Sequence, residues 1–187
     1  MDSFRFKCIT VSKTETSKGF FVKAINKNGP VELFIYGKKT PIDSMIYMEV
    51  AGLYKNTNKN YLTVKSMNII NRFQKIRESF LKLSVAMTMI EIAYSTKIGM
   101  GLLLNGLTML EKYSHKTAFI WFGASFLIKN GVFDKNSFSE KEVSLISFIL
   151  KAQNKERLMI SDAEFKPLAA KLINLIEEYS GISFSFE

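Results

Sequence analysis

The sequence predicts an α+β protein: an N-terminal five-stranded OB-fold-like β-barrel over residues 1–70, then an all-α helical domain over residues 71–187. Three observations predict it. Apolar residues recur with period two in short, turn-bounded runs as far as Met67, and with helical period beyond it. Five short strands with no long helix among them suit a small barrel. Residues 118–128 carry no charge and only Ser125 as a polar side chain. A helix apolar nearly all round is buried on most sides, and this run is too short for the roughly 20 residues of a membrane span.

The barrel strands are expected at residues 4–11, 19–25, 31–36, 45–54 and 61–67. Polar residues 14–18, the run Asn26-Lys27-Asn28-Gly29-Pro30, Gly37 and residues 55–60 separate them as turns. Gly52 signals a bulge or sharp bend near the end of the fourth strand. An SH3-like barrel fits the same spacing. Alternation assigns two faces. Val31, Leu33, Ile35, Ile46, Met48, Val50, Leu62 and Val64 point inward. Phe34, Tyr36, Met45, Tyr47, Glu49, Tyr61, Thr63 and Lys65 point outward.

The helical part opens with a stripe through Phe73, Ile76, Arg77, Phe80, Leu83, Met87, Ile90 and Tyr94, ending at Lys97 and Gly99. A second helix covers residues 102–113. Ser114 caps the apolar helix, in which Gly123 and Ala124 admit a close neighbour and Asn130-Gly131 supplies the left-handed stop. Residues 132–138 form a loop. Capping boxes at Ser139–Glu142 and Ser161–Glu164 open two more helices. The first runs to about Ala152. The second buries Leu168, Leu172, Ile173 and Ile176 and stops at Gly181, with Pro167 in its first turns displacing its start. The tail, residues 182–187, reads as extended. No Gly/Ser-rich linker separates the two parts.

Composition narrows the chemistry. Of 187 residues, 47% are hydrophobic, which indicates a folded chain. One cysteine, Cys8, and one histidine, His115, leave no intramolecular disulfide, no cysteine-clustered zinc site and no Ser-His-Asp arrangement with a nucleophile beside it. Glycine-rich phosphate loops and catalytic hydrolase motifs are missing too. The reading is a binding protein and not an enzyme, without cofactor or metal. With no leader-type apolar core at residue 1, it is expected to be cytoplasmic.

Charge supplies the positive signal. The net charge is +9, and residues 1–70 hold 11 basic against 5 acidic side chains. A basic excess on a small barrel suits a polyanion. The outward face interleaves Phe34, Tyr36, Tyr47 and Tyr61 with Lys65, and Lys23, Lys38 and Lys39 lie near the same strands. Bases stack on rings and cations meet phosphates, which is what single-stranded nucleic acid requires. Arg5, Lys7 and Lys18 on the first strand and turn, with Lys55 and Lys59 in the fourth-to-fifth loop, complete the expected DNA-binding set.

The order of parts, and the helix Phe122-Gly-Ala-Ser-Phe126-Leu127-Ile-Lys-Asn-Gly131, resemble the bacterial RecO family of recombination mediators. There a helix of the form Phe-x-x-x-Leu-Leu-x-x-x-Gly leads to a zinc-binding cysteine cluster. Here Phe126 stands in a leucine's place, and residues 132–138 hold no cysteine, as in a short member without the zinc. The final helix and Gly181 are similar to that family's closing helix.

The resemblance implies a protein that binds single- and double-stranded DNA, anneals complementary strands, and acts with RecR to load RecA. It implies a bacterial, nucleoid-associated setting. It further implies that the helical domain binds the acidic, Phe-ended tail of single-stranded DNA-binding protein (SSB). Lys112, Lys116 and Lys129, flanking the apolar helix, are the candidate cations for that tail. The alternative is a non-catalytic adaptor whose SH3-like or OB-like barrel serves assembly and whose charge is incidental.

Overall fold

The computed structural model describes residues 3–37, 42–53, 61–151 and 158–184. The five expected strands are present: β1 (Ser3–Glu15), β2 (Gly19–Asn26), β3 (Gly29–Tyr36), β4 (Tyr47–Leu53) and β5 (Leu62–Asn71). They close into a ring in the order β1-β2-β3-β5-β4, with β4 returning to β1. All pairings are antiparallel except β3–β5, which is parallel and short. This is an OB-like arrangement.

β1 serves two neighbours. Its first half pairs with β4 and its second with β2, with a register shift between Thr10 and Ser12. Such a bulge bends a strand and lets it pass from one partner to the next. That is why β1 runs on to Glu15, beyond the expected end at residue 11. β5 is longer than expected as well, because its pairing with β4 continues to Tyr47↔Asn71. A second register shift falls at Ala51/Gly52, where a Cβ on Gly52 would collide with the Thr63 carbonyl and the Phe4 ring.

The barrel core holds Phe4, Cys8, Phe20, Val22, Leu33, Ile35, Met48, Val50 and Val64, with Ile42 and Ile46 added by the segment before β4. Thr10 ties that segment down. Its backbone accepts from the Met45 N–H (2.7 Å), and its Oγ1 accepts from the Ile46 N–H (2.8 Å) and donates to the Asp43 carbonyl. Met45 lies outside β4, at φ 59 and fully buried, so its expected outward place is corrected.

The helices are α1 (Gln74–Arg77), α2 (Phe80–Ser95), α3 (Met100–Lys112), α4 (His115–Lys129), α5 (Glu140–Lys151) and α6 (Asp162–Ser180), with a 3-10 turn at Lys135–Ser137. The single stripe expected through Phe73 to Tyr94 is broken. Phe73 sits at φ 50 outside any helix, and Ser79 restarts the chain, accepting from the Lys82 and Leu83 N–H groups. The restart resets the helical phase. Val85, Ala86, Met89 and Ile90 are buried, whereas Phe80 is 84% exposed.

Two compact units result: residues 1–74 with 90–101, and residues 75–89 with 102–187. This division differs from a cut at residue 70, since residues 90–101 cluster with the barrel. In that unit the β2–β3 turn meets the α2–α3 loop at backbone distance. A Cβ on Gly99 would collide with the Lys27 carbonyl, and one on Gly29 would lie 3.1 Å from the Lys97 carbonyl.

In the other unit α4 is the buried centre, as its composition predicts, though Ile128 at its end is 48% exposed. Ser114 caps it, and Gly131 (φ 71) carries the left-handed stop. Gly123 admits Leu172 of α6, 3.3 Å from where a Cβ would stand, and Gly106 of α3 admits the Phe122 ring. Both expected capping boxes form, at Ser139/Glu142 and Ser161/Glu164. Pro167 does not displace the start of α6, which is Asp162. Among the described residues no helix is long and apolar enough to cross a membrane.

Candidate nucleic-acid interface

On β2 and β3, alternate side chains leave the core and gather as one aromatic patch. Phe21 and Phe34 face each other across the strand pair, rings 4.7 Å apart, because they are register partners. Tyr61, just before β5, closes on both, 5.0 Å from Phe21 and 5.8 Å from Phe34. It reaches them because β5 pairs with β3 from Leu62, and Phe34 sits opposite Thr63. Tyr36 stands edge-on to Phe34 at 4.7 Å. The four rings form a graded surface: Phe34 is 6% exposed, Phe21 36% and Tyr36 59%. Phe34, expected as an open stacking ring, is therefore the buried support for the others.

Cations border the patch. The β1–β2 turn is stapled by Thr16, whose Oγ1 donates to the Gly19 carbonyl (2.9 Å). The Lys18 carbonyl then accepts from the Gly37 N–H (3.0 Å), which sets exposed Lys18 beside the end of β3. Lys65 of β5 lines a cleft of about 580 Å³ that Tyr36 also lines. Lys23 shares the outward face with Phe21 but is partly committed. Glu32 is its cross-strand partner, and its ammonium lies 5.8 Å from the Tyr94 ring centre.

Other expected residues fall elsewhere. Arg5 pairs with Glu49 at 3.5 Å, and Lys7 is the register partner of the same Glu49. Tyr47 lies opposite Asn71, eight residues along β5 from Thr63, or about 26 Å at strand rise. Arg5, Lys7 and Tyr47 therefore belong to the β1–β4 side and not to the aromatic patch. Lys38, Lys39, Lys55 and Lys59 lie outside the described residues. Phe21 is the ring that sequence reasoning missed. Its signal was the same alternation, Phe21 and Lys23 against Phe20, Val22 and Ala24.

Of the three lysines expected around a tail pocket, Lys116 and Lys129 stand at opposite ends of α4. Lys112 ends α3 and Lys129 ends α4, thirteen residues or about 20 Å of helix from Lys116. Lys116 is no solvated helix-end lysine. It donates to the Ile160 carbonyl (2.7 Å) and pairs with Asp162 (2.6 Å), its side chain 17% exposed. It lines an apolar groove of about 730 Å³ walled by Phe80, Leu81 and Val85 of α2 and Phe165 and Ala170 of α6. Lys166 brings a second cation to that groove. His115, edge-on to Phe165 at 6.0 Å, has its pKa lowered by burial first and by neighbouring Lys116 and Lys82, against the pull of Asp162. Burial pushes the Cys8 thiol up to about 12, which suits an inert core residue.

No family model and no curated protein matches this chain. Among similar solved structures is one assigned as an aspartyl-tRNA synthetase from Leishmania major Friedlin, at 8% identity and a TM-score of 0.31. The match covers 96% of this chain and 49% of that one, so the chain spans about half of that protein's length. At that TM-score the likeness carries no argument about fold or function.

Proposed function

We propose that this protein is a RecO-like, non-catalytic mediator that binds single- and double-stranded DNA through its barrel and anneals complementary strands, SSB-coated ones included. In this reading it helps RecR load RecA. One observation carries the DNA half: the patch of Phe21, Phe34, Tyr36 and Tyr61 on the outward face of β2, β3 and β5, bordered by Lys18, Lys23 and Lys65. Exposed rings among cations suit stacked bases between phosphates. On an OB-like barrel the second and third strands are the customary ligand face. The net charge of +9 adds long-range attraction for a polyanion.

The groove between α2 and α6 supports the partner half. An acidic peptide ending in an aromatic residue needs an apolar pocket beside a cation, and Phe80, Phe165 and Lys166 line one, together with Lys116, whose charge Asp162 already meets. The same groove favours a second reading, a protein-binding adaptor for which the barrel charge is incidental.

Annealing of complementary oligonucleotides coated with SSB, without ATP, separates the two. The mediator reading expects acceleration at substoichiometric protein, lost when Tyr36 and Tyr61 become alanine and weakened by Phe80→Ala. No acceleration, with bare-strand binding weak and salt-insensitive, would leave the adaptor.

A further inference from the structure

We infer that the cleft where β3 and β5 part is a subsite for one unstacked nucleobase, a proposal that rests on the reading of the barrel as a single-strand-binding surface. The two strands pair only from Leu33↔Leu62 to Ile35↔Val64. β3 then ends at Tyr36, and Gly37 lies at φ 82. β5 continues to Asn71 along β4. On the side that β3 leaves, the main chain of residues 65–67 has no strand partner among the described residues. A strand edge of this kind offers N–H and C=O groups to whatever lies alongside.

The opening has the chemistry of a base. Ile35, Val64 and Met67 provide an apolar floor, and Tyr36 provides a ring 59% exposed. These suit the flat faces of a heterocycle. The β5 edge suits its polar rim, since unpaired bases are read by hydrogen bonds to their edges. Lys65 on one wall, and Lys18 beside Gly37, suit the phosphates on either side. A bare peptide strand would use the same edge, but it would leave the cations and the Tyr36 ring without purpose. Tyr36 is also the outermost ring of the aromatic patch, so the cleft continues the stacking surface. Only an unpaired base enters a cleft of this kind, which makes it a source of preference for single strands over duplex.

The test uses the full chain with oligothymidine carrying 5-iododeoxyuridine. Photo-crosslinked peptides are mapped, and anisotropy titrations compare wild type with Ser66→Phe, which fills the cleft from an exposed position. Crosslinks at Tyr36 or Met67 are expected, with about a tenfold loss of single-strand affinity in S66F and duplex affinity little changed. Mapping on the wild-type chain keeps the test standing should S66F unfold. Crosslinks confined to Phe21 or Tyr61, with S66F binding as wild type, would overturn the subsite and leave the barrel surface intact. No single-strand binding by the wild-type chain would remove both.

Discussion

Tyr36 stands at 90° to Phe34 with ring centroids 4.7 Å apart, one ring 59% exposed and the other 6%. The pair divides two duties that alternation assigned to both residues alike. Phe34 supports the patch, and Tyr36 is free to meet a ligand. Phe34→Ala is expected to cost about 3 kcal/mol of stability, as for other buried rings. Tyr36→Ala is expected to leave the melting temperature nearly unchanged. It should lower single-strand affinity by about 1–3 kcal/mol and duplex affinity by less, as should Tyr61→Ala. Thermal melts beside anisotropy titrations check this. Equal loss on single strands and duplex would count against stacking.

Salt dependence distinguishes the cations. Each lysine that neutralises a phosphate contributes about 0.7 to the log–log slope of single-strand affinity against salt. Lys18→Gln and Lys65→Gln should each flatten the slope by about that amount. Arg5→Gln should leave it unchanged, since Arg5 already faces Glu49 at 3.5 Å on the β1–β4 side. A slope that responds to Arg5 and ignores Lys65 would move the interface to that side.

Gly99 has no room for a side chain, because a Cβ there meets the Lys27 carbonyl. The obstacle is backbone, so it cannot rotate aside. Gly99→Ala should therefore destabilise by about 1–3 kcal/mol, read as a drop in denaturation midpoint. Gly101→Ala is the control two residues on, where nothing lies within 4 Å of a Cβ. Similar midpoints for the two variants would show that the turn yields without cost.

Acid should loosen the caps of α5 and α6. Hydrogen bonds from Ser161 and Lys141 lower the Glu164 carboxyl from 4.5 to about 2. Burial pushes Glu142 up, but Lys171 and Ser139 outweigh it, and its pKa is lowered. A folded pKa below the unfolded one favours folding above the unfolded value and loses that contribution as pH falls through the folded value. Wild type should therefore melt above Glu164→Gln at neutral pH, with the gap closing between about pH 4.5 and 2. A gap that is constant with pH would mean the carboxylate charge has no part in the cap. Ser161→Ala should cost about 1 kcal/mol at neutral pH and less as pH falls through the folded Glu164 value, because the Ser161 hydroxyl is the first cause of that carboxyl's lowering.

The sequence by itself determined the element types and much of the barrel interior. Period-two runs, the capping boxes at Ser139 and Ser161, and the uncharged α4 are local signals, each set by the chain's own backbone and solvent preferences. Alternation also placed Phe34, Tyr36 and Tyr61 outside the barrel core. What it lacked was ring closure. Which outward residues become neighbours depends on register between strands distant in sequence. The parallel β3–β5 seam brings Tyr61 to Phe34, while antiparallel β4–β5 pairing carries Tyr47 to the far end of β5. Burial of Phe34 under its neighbours and the ion pair that occupies Lys116 are tertiary outcomes of the same kind. Each depends on contacts between residues far apart in the chain, and local periodicity carries no information about those.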